Sequence, residues 1–332
     1  MSTTTITLPQ ETVWALTNSV VAGRAIQVVA ELGVADHVGD TPVSPADLAG
    51  RCDLDPAALD RVLRLLAAHG VFALEPTGYV HTDASLVLRS DHPQSMRAFA
   101  RMMGLPAFWG MFGALGHSLR TGAPGIESID PAGLWSYLQS HPDEARIFDE
   151  AMRAKSRADV AAVVDAYDFR PFATVADIGG GQGHLLDAVL GQASATRGVL
   201  FELPGVIESL APPPDRMTYT AGDFFVDHLP VADAYILMEV IHDWPDDEAL
   251  AILRAVRAAA APGAVVLIVE GIVPDGEPDA RVQTLDVIML AVTGGRERTA
   301  AGLGALLAAA GFRKTAVLPT HGPMQIIEAV AV

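Results

Sequence analysis

The chain has 332 residues, half of them hydrophobic, so it is long enough for two domains with large cores. Its net charge of -18 argues against binding to nucleic acid or to an anionic membrane surface, because phosphate groups require a basic protein face. The one cysteine, Cys52, excludes an internal disulfide and a cysteine-based metal site. We find neither the charged start and apolar run of a signal peptide nor an apolar stretch of membrane-spanning length, so we expect a cytoplasmic protein.

The N-terminal part of the chain predicts a winged-helix layout. Apolar residues recur at helical spacing over residues 11–38, two further helices begin at Ser44 and Asp55, each followed by proline, and a small hairpin comes next. A DNA-binding regulator is therefore one possible function. However, residues 1–98 contain 11 acidic and 6 basic side chains, which disfavours contact with DNA. We interpret residues 1–100 as a winged-helix-like dimerisation domain.

The next segment, residues 101–167, is predicted to be mostly helical and is rich in methionine and aromatic residues. Most of these side chains are expected to form the core between helices. Flat aromatic surfaces and flexible methionines also suit a planar apolar ligand, so we interpret the segment as a helical linker and substrate-pocket region. A break at residues 168–171, Asp-Phe-Arg-Pro, marks the predicted start of a second domain, residues 168–332.

A glycine-rich turn follows the first predicted strand of that domain. Residues 175–178 favour a strand, Gly179, Gly181 and Gly183 come next, and a helical apolar pattern starts at Leu185. The glycines allow the backbone to pass close to a ligand, and the start of the helix offers free N–H groups to it. The glycine spacing does not fit the pattern of dinucleotide-binding proteins, which disfavours a nicotinamide-dependent oxidoreductase.

Asp177 lies two residues before the first glycine and indicates which ligand the turn binds. A carboxylate at this position suits an ammonium group better than a pyrophosphate, and S-adenosylmethionine carries an ammonium group. The stretch resembles the first motif of class I methyltransferases. We therefore expect S-adenosylmethionine as the cofactor, while a glycine-rich turn that binds nothing remains the alternative.

Strands and helices alternate from residue 174 onward, which predicts an α/β, Rossmann-like domain with a mainly parallel sheet. Ligands of such sheets bind beyond the carboxyl ends of the strands. Four acidic residues and one histidine lie at or just after five successive predicted strand ends, namely Asp177, Glu202, Asp223, His242 and Glu270. We expect Glu202 to accept hydrogen bonds from ribose hydroxyls, and Asp223 to bind an adenine amine while Phe224 packs on the ring.

His242 is the candidate general base, because a histidine pKa of about 6.5 suits proton abstraction at neutral pH. A catalytic imidazole needs a carboxylate that orients its other nitrogen, and Glu270 and Glu297 are both candidates, with Asp243 adjacent to the histidine. The acidic residues that follow are a possible Mg²⁺ site. We disfavour that interpretation, since acidic residues after Pro245 are typical of the first turn of a helix.

Six motifs occur along the second half of the chain. They are Val-Ala-Asp-Ile-Gly-Gly-Gly-Gln-Gly from residue 175, Phe-Glu-Leu-Pro-Gly-Val-Ile from 201, Gly-Asp-Phe-Phe from 222, Val-Ile-His-Asp-Trp from 240, Val-Glu from 269 and Gly-Gly-Arg-Glu-Arg-Thr from 294. In this order and spacing they resemble the histidine-based, metal-independent small-molecule O-methyltransferases, which comprise the plant caffeate type and bacterial relatives that tailor antibiotics and pigments. The resemblance covers essentially the whole chain and implies a homodimer.

The resemblance also implies a reaction and a set of site residues. The family transfers a methyl group from S-adenosylmethionine to a hydroxyl of an aromatic small molecule and releases S-adenosylhomocysteine. His242 matches the base of the family, and Glu270 and Glu297 match its two flanking acids. The matching cofactor positions are Asp177, Gly179, Gly181, Glu202, Leu203, Asp223, Phe224, Phe225 and Met238, and the matching substrate positions are Phe148, Met152 and Met289.

Met238 is a departure from the family pattern. Plant enzymes have lysine four residues before the base and bacterial relatives often have serine, so a polar contact from this side chain to the cofactor is not expected here. Some bacterial relatives keep the fold and the cofactor but carry out different chemistry, which is the alternative to simple O-methylation. We expect most of those relatives to lack the histidine, which is present in this chain.

Overall fold

The computed structural model describes residues 8–332. Contacts within the chain divide it into two compact units. The first contains the residues up to Pro106 together with Arg146–Ala154, and the second contains Ala107–Ala145 and Lys155–Val332. One long helix, α9, extends over Pro142–Ala166 and therefore contributes residues to both units.

The first unit consists of helices and a small antiparallel hairpin. Its helices are α1 (Pro9–Glu31), α2 (Pro45–Cys52), α3 (Pro56–Ala68), α4 (Asp83–Leu86) and α5 (Arg97–Met103), and its strands are β1 (Phe72–Glu75) and β2 (Gly78–His81). Ser44 and Asp55 cap α2 and α3 by accepting hydrogen bonds from the backbone N–H groups of Asp47, at 3.1 Å, and Ala58, at 2.8 Å. The predicted order of helices followed by a hairpin is therefore confirmed.

Helix α1 is unusual because most of its apolar side chains are exposed. Val13, Trp14 and Leu16 are 65%, 66% and 72% exposed. Among residues 8–332, α1 is also the one helix that is long and apolar enough to cross a membrane by length and composition alone. The prediction that no such stretch exists was wrong, because Thr12 and Arg24 interrupt the apolar residues and conceal the overall composition. Length and composition do not distinguish a membrane span from a helix that packs against another protein.

The second unit is built around a seven-stranded sheet with the order β5-β4-β3-β6-β7-β9-β8. Its strands are β3 (Thr174–Ile178), β4 (Arg197–Glu202), β5 (Met217–Ala221), β6 (Ala234–Met238), β7 (Val265–Glu270), β8 (Phe312–Pro319) and β9 (Gln325–Ala331). The first five strands in this order pair in parallel, whereas β9 pairs antiparallel with β7 and β8. The predicted α/β, Rossmann-like class and its mainly parallel sheet are confirmed.

The remaining helices precede the sheet or connect its strands. They are α6 (Pro106–Gly113), α7 (Leu115–Thr121), α8 (Leu134–Ser140), α10 (His184–Gln192), α11 (Pro204–Ser209), α12 (Asp246–Ala259), α13 (Ala280–Val292) and α14 (Ala300–Ala309). Ile236, Leu267 and Ile268 on the central strands are fully buried, as expected for a parallel sheet that is covered on both faces.

The strand order determines where a ligand can bind. The chain proceeds outward from β3 to β4 and β5, and then returns to the other side of β3 to form β6 and β7. The carboxyl ends of β3 and β6 therefore lie side by side at the point where the winding direction reverses. In open α/β sheets this is the usual position of the ligand.

Candidate active site

The turn after β3 requires glycine for two reasons. Gly179, Gly181 and Gly183 have φ angles of 69°, 56° and 77°, which are left-handed conformations that glycine adopts without strain. Gly180 is required for space, because a Cβ atom there would lie 2.4 Å from the carboxyl group of Asp177. The sequence analysis gave a different reason, the close approach of the backbone to a ligand, and predicted neither of these two. Helix α10 starts directly after this turn, so its N-terminus lies at the carboxyl edge of the sheet.

Asp177 is a buried carboxylate, with only 1% of the residue exposed. Neither carboxylate oxygen has a hydrogen-bond partner among the described residues. Burial, followed by the nearby charge of Glu202, raises the pKa of Asp177 to about 7. Buried polar groups in folded proteins are nearly always paired, so this carboxylate has the properties expected of one that receives a cationic ligand.

Glu202 holds the glycine turn in place from the end of β4. Its Oε2 atom accepts a hydrogen bond from the backbone N–H of Gly181 at 2.9 Å, and its Oε1 atom accepts one from Leu203 at 2.7 Å. The structure thus brings the predicted cofactor residues of β3 and β4 together.

An aromatic cluster follows the end of β5. The Asp223 Oδ1 atom accepts a hydrogen bond from the backbone N–H of Phe225 at 2.8 Å, which fixes the turn. The rings of Phe224 and Phe225 pack edge-to-face against Trp244, with ring centroids 5.8 and 4.7 Å away. Trp244 was not among the predicted cofactor residues, although it stands two residues after His242 in a motif that the sequence analysis quoted.

At the end of β6, the predicted residue Met238 is followed by an acidic residue that was not predicted. Met238 is half-buried and packs against the apolar core, and its thioether side chain carries no charge. The following residue, Glu239, has a φ angle of 53° and forms an ion pair with Lys155 on α9. Sequence analysis missed this pair because its members are 84 positions apart in the chain.

His242 lies in a 3₁₀ turn, Ile241–Asp243, and is almost completely buried. Its ring Nδ1 atom is 2.7 Å from Glu297 Oε1, and its backbone N–H donates to Glu270 Oε1 at 2.8 Å. Glu297 is therefore the carboxylate that orients the ring, while Glu270 holds the backbone. With Glu297 ionised, the ring hydrogen resides on Nδ1. The opposite nitrogen, Nε2, lies 3.8 Å from Asp243 Oδ1.

The negative charges around His242 and its burial have opposite effects on its pKa. Burial lowers the pKa of the imidazole, but the hydrogen bond from Glu297 and the negative charges of Asp243, Glu270 and Glu297 outweigh burial and raise the pKa to about 10. Burial also raises the pKa of Glu270 to about 7 and that of Asp243 to about 6. The imidazolium form is thus strongly stabilised once it has accepted a proton.

The segment Gly295 to Arg298 surrounds the turn that carries His242, and only Glu297 within it was predicted. Arg296 donates its backbone N–H to His242 O at 2.8 Å. A Cβ atom on Gly295 would lie 2.0 Å from the same oxygen, so no larger residue fits there. The buried guanidinium of Arg298 donates to the backbone oxygens of Ile241, at 2.9 Å, and Trp244, at 2.7 Å.

The predicted substrate residues lie on two different helices. Phe148 and Met152 are half-buried on α9, one turn apart, within the stretch that belongs to the first unit. Met289 is buried on α13 in the second unit, and its sulfur lies 3.9 Å from Thr293 Oγ1. Their role in substrate binding stays a prediction. Within residues 8–332, no group of three or more histidine, cysteine or acidic side chains is arranged to hold a metal ion.

The similarity of this chain to known proteins extends over nearly its full length. The family model for the O-methyltransferase domain matches residues 112–313, and the model for the O-methyltransferase dimerisation domain matches residues 14–91. Among curated proteins, phenazine O-methyltransferase PhzM of Lysobacter antibioticus is 39% identical over 313 residues, which cover 92% of each chain.

Two solved structures share the fold at comparable identity. The mitomycin 7-O-methyltransferase MmcR aligns with a TM-score of 0.88 and 33% identity over 97% of this chain and 98% of its own. CalO1, a methyltransferase in calicheamicin biosynthesis with bound S-adenosylhomocysteine, aligns with a TM-score of 0.86 and 32% identity over 98% of this chain and 100% of its own. The chain therefore belongs to the family defined by these O-methyltransferase and dimerisation domains. It is an S-adenosylmethionine-dependent O-methyltransferase, as the sequence motifs predicted.

Proposed function

We propose that this enzyme methylates a phenolic hydroxyl of an aromatic natural product and that His242 is its general base. The observation that carries the proposal is the geometry of the imidazole, whose Nδ1 atom is bound to Glu297 at 2.7 Å, so that Nε2 is the nitrogen that takes the proton when the ring is neutral. The aromatic acceptor is supported by the relatives, which include a phenazine O-methyltransferase and a mitomycin O-methyltransferase.

The cofactor residues of the second unit fit S-adenosylmethionine. We assign Asp177, a buried carboxylate, to its ammonium group, and Glu202, at the end of β4 beside the glycine turn, to the ribose hydroxyls. We assign Asp223 to the adenine amine, and we assign Phe224 and Phe225, whose rings contact each other edge-to-face, to the adenine ring. The turn at Gly179 and Gly181 allows close backbone approach, while Leu203 and Met238 contribute apolar contact. When bound, the cofactor supplies the methyl group: the acceptor oxygen forms the new O–C bond, the C–S bond breaks, and S-adenosylhomocysteine leaves.

The role of His242 is to remove the hydroxyl proton as the oxygen attacks. A phenol has a pKa of about 10, so an ordinary histidine with a pKa of about 6.5 would accept its proton at a cost of about 5 kcal/mol. The surrounding carboxylates raise the pKa of His242 to about 10, so transfer of the proton from the phenol to the neutral imidazole is nearly balanced, and the ring must release its own proton before it can act as the base. The imidazolium that forms is paired with Glu297, so the proton is stabilised where it arrives. Holding oxygen and methyl group in line should supply most of the remaining acceleration.

The substrate pocket and the dimer complete the proposal. We assign Met289 of the second unit to the aromatic acceptor, because an adaptable methionine suits a planar ligand, and we keep Phe148 and Met152 of the first unit as separate candidates from their match to the family pattern. We assign self-association to the first unit, since the matched dimerisation domain includes most of α1, whose apolar side chains are exposed. Such a surface is typical of an interface between proteins.

The experiment that tests the base compares wild type and His242→Ala over a series of phenols with decreasing pKa. Loss of a general base typically reduces the rate by about 10²–10⁴-fold, so that loss is expected with ordinary phenols. With acidic phenols, which are already ionised, the loss should become small. Cofactor affinity, measured by calorimetry, should stay unchanged, and His228→Ala, which alters an exposed histidine, serves as the control. An equal loss across the series would show that His242 is not the base.

A further inference from the structure

The turn that carries His242 satisfies few of its backbone oxygens by itself. Within it, Asp243 N–H donates to Val240 O at 3.2 Å and Trp244 N–H donates to Ile241 O at 3.3 Å. Residue 239 adopts a left-handed conformation, and the 3₁₀ turn contains only Ile241–Asp243 before α12 begins at Asp246. A short irregular segment of this kind keeps one shape only when other groups bind its exposed N–H and C=O groups. Arg298 supplies most of the N–H groups that other parts of the chain donate to the backbone oxygens of this turn.

The guanidinium of Arg298 binds both sides of His242 at once. Its Nη1 atom donates to Ile241 O at 2.9 Å, and its Nη2 atom donates to Trp244 O at 2.7 Å. Its Nε and Nη2 atoms also donate to Asp246 Oδ1, at 2.9 and 2.8 Å. The turn and the first residue of α12 are thereby fixed to one planar group, which is 4% exposed.

Arg298 is itself attached to the sheet. Its backbone oxygen accepts a hydrogen bond from Val273 at 3.0 Å, and its backbone pairs with Ile272 just beyond the end of β7. The adjacent residue Glu297 binds the imidazole ring at 2.7 Å. The same extended segment therefore determines the position of the histidine backbone and the direction of its ring.

We propose that Arg298 is a positioning residue for the base: it fixes the peptide groups around His242 so that Nε2 stays directed at the acceptor hydroxyl. The proposal rests on the proposed role of His242. Only arginine offers several N–H donors in one rigid plane, whereas lysine presents a single point of charge. Arg298→Lys therefore keeps the charge but cannot hold the oxygens of Ile241 and Trp244 together.

The test measures turnover of Arg298→Lys over the same series of phenols. A base displaced by about 1 Å loses up to roughly 10²-fold in rate, so we expect a loss approaching that size with ordinary phenols. The loss should shrink towards zero with acidic phenols, and cofactor affinity should not change. In a His242→Ala background, Arg298→Lys should cause no further loss, because no base remains to be positioned.

Arg257→Lys is the matched control. Arg257 also uses its guanidinium to hold three backbone oxygens, those of Gly311, Ala260 and Val332, at 3.1, 3.1 and 2.6 Å. It stands near the C-terminal end of α12 and outside the active site. Its substitution should lower the melting temperature and leave the dependence of rate on acceptor pKa unchanged.

Asp246→Asn provides a second variant that should fold, because the Asp246 side chain is 56% exposed. This substitution weakens the hydrogen bonds that Asp246 accepts from Arg298. It should cause a smaller loss of turnover than Arg298→Lys, with the same dependence on acceptor pKa. A loss in Arg298→Lys that is equal for all phenols, or that adds fully to that of His242→Ala, would overturn the proposal while leaving His242 as the base. If His242→Ala itself shows no dependence on acceptor pKa, the proposed function fails first, and the role of Arg298 fails with it.

Discussion

Removal of the Glu297 charge tests the proposed base most directly. Glu297 Oε1 is 2.7 Å from His242 Nδ1, and both residues are buried. In Glu297→Gln the amide oxygen still accepts the hydrogen bond, so the ring keeps its orientation while one negative charge is lost. Burial still lowers the pKa of His242, and there is one negative charge fewer to raise it. We expect the pKa of His242 to fall from about 10 by roughly 1–3 units, the usual effect of one adjacent opposite charge.

The assay is the pH dependence of kcat/KM, which reports the base of the free enzyme. Only the neutral imidazole takes a proton, so activity should rise with pH through the His242 pKa and then level off. In Glu297→Gln the midpoint should therefore move to lower pH. The plateau should also fall, by up to about tenfold for each unit of lost basicity, because the weaker base accepts the proton less readily.

NMR of ¹³C-labelled histidine gives the same pKa without catalysis, with the resonance of His242 assigned from His242→Ala. Glu270→Gln is the matched control. Glu270 is also buried and raises the pKa of His242, but its Oε1 atom binds the backbone N–H at 2.8 Å and not the ring. The shift should also be downward, while the hydrogen bond to the ring stays in place. A midpoint in Glu297→Gln that stays in place or moves upward would refute the reasoning.

The pair of His242 and Glu297 also makes the free energy of unfolding depend on pH. The folded protein binds the His242 proton more tightly than the unfolded chain does, since the pKa is raised to about 10. The resulting stabilisation is fully present below about pH 6.5 and is lost as the pH rises through the folded value. Removing one partner of a buried pair typically costs about 3–5 kcal/mol. Glu297→Gln should thus lower the calorimetric melting temperature most at about pH 6 and least at about pH 10.

Three further predictions concern the cofactor site and α1. Because burial raises the pKa of Asp177 to about 7, Asp177→Asn should raise the melting temperature of the ligand-free protein most above that pH and progressively less as the pH falls towards about 4, where the unfolded carboxylate is also protonated, and it should weaken cofactor binding; tighter binding would contradict its assignment to the ammonium group. Glu202→Ala should weaken binding by about 1–3 kcal/mol in calorimetry, and unchanged affinity would mean that the ribose is held elsewhere. Leu16→Glu should convert a dimer into a monomer in light scattering, whereas Leu119→Glu, on an equally exposed leucine, should not.

The features predicted correctly from sequence are those with local signals. The glycine turn is recognisable from its spacing after an apolar strand, and the structure adds that three of its positions have left-handed φ angles. The parallel strands are recognisable because each is a short apolar run between helices. The roles of Asp177 and His242 stay predictions, although both residues stand out in the sequence at predicted strand ends.

The features that were missed depend on contacts between distant parts of the chain. Sequence left Glu270 and Glu297 as equal candidates for orienting the ring, since the choice depends on how the segment after α13 is placed beside β7. The pair Lys155 and Glu239 has no local pattern at all. Arg298 lies within a quoted motif, but its role is visible only when Ile241 and Trp244 are seen around its guanidinium.

The position of His242 on a short turn explains which residues surround it. His242 lies beyond the end of β6 on an irregular turn, and the polar groups of that turn need partners from elsewhere. Those partners are Glu270, Arg296 and Arg298 for the backbone and Glu297 for the ring. They come from positions 28 to 57 residues further along the chain. The glycine turn and β4 are close in sequence, whereas the base acquires its geometry only when β7 and the segment after α13 have packed beside β6. Substitutions in that late segment should therefore impair proton removal more than cofactor binding, and the comparison of Arg298→Lys with Glu202→Ala measures the two losses separately.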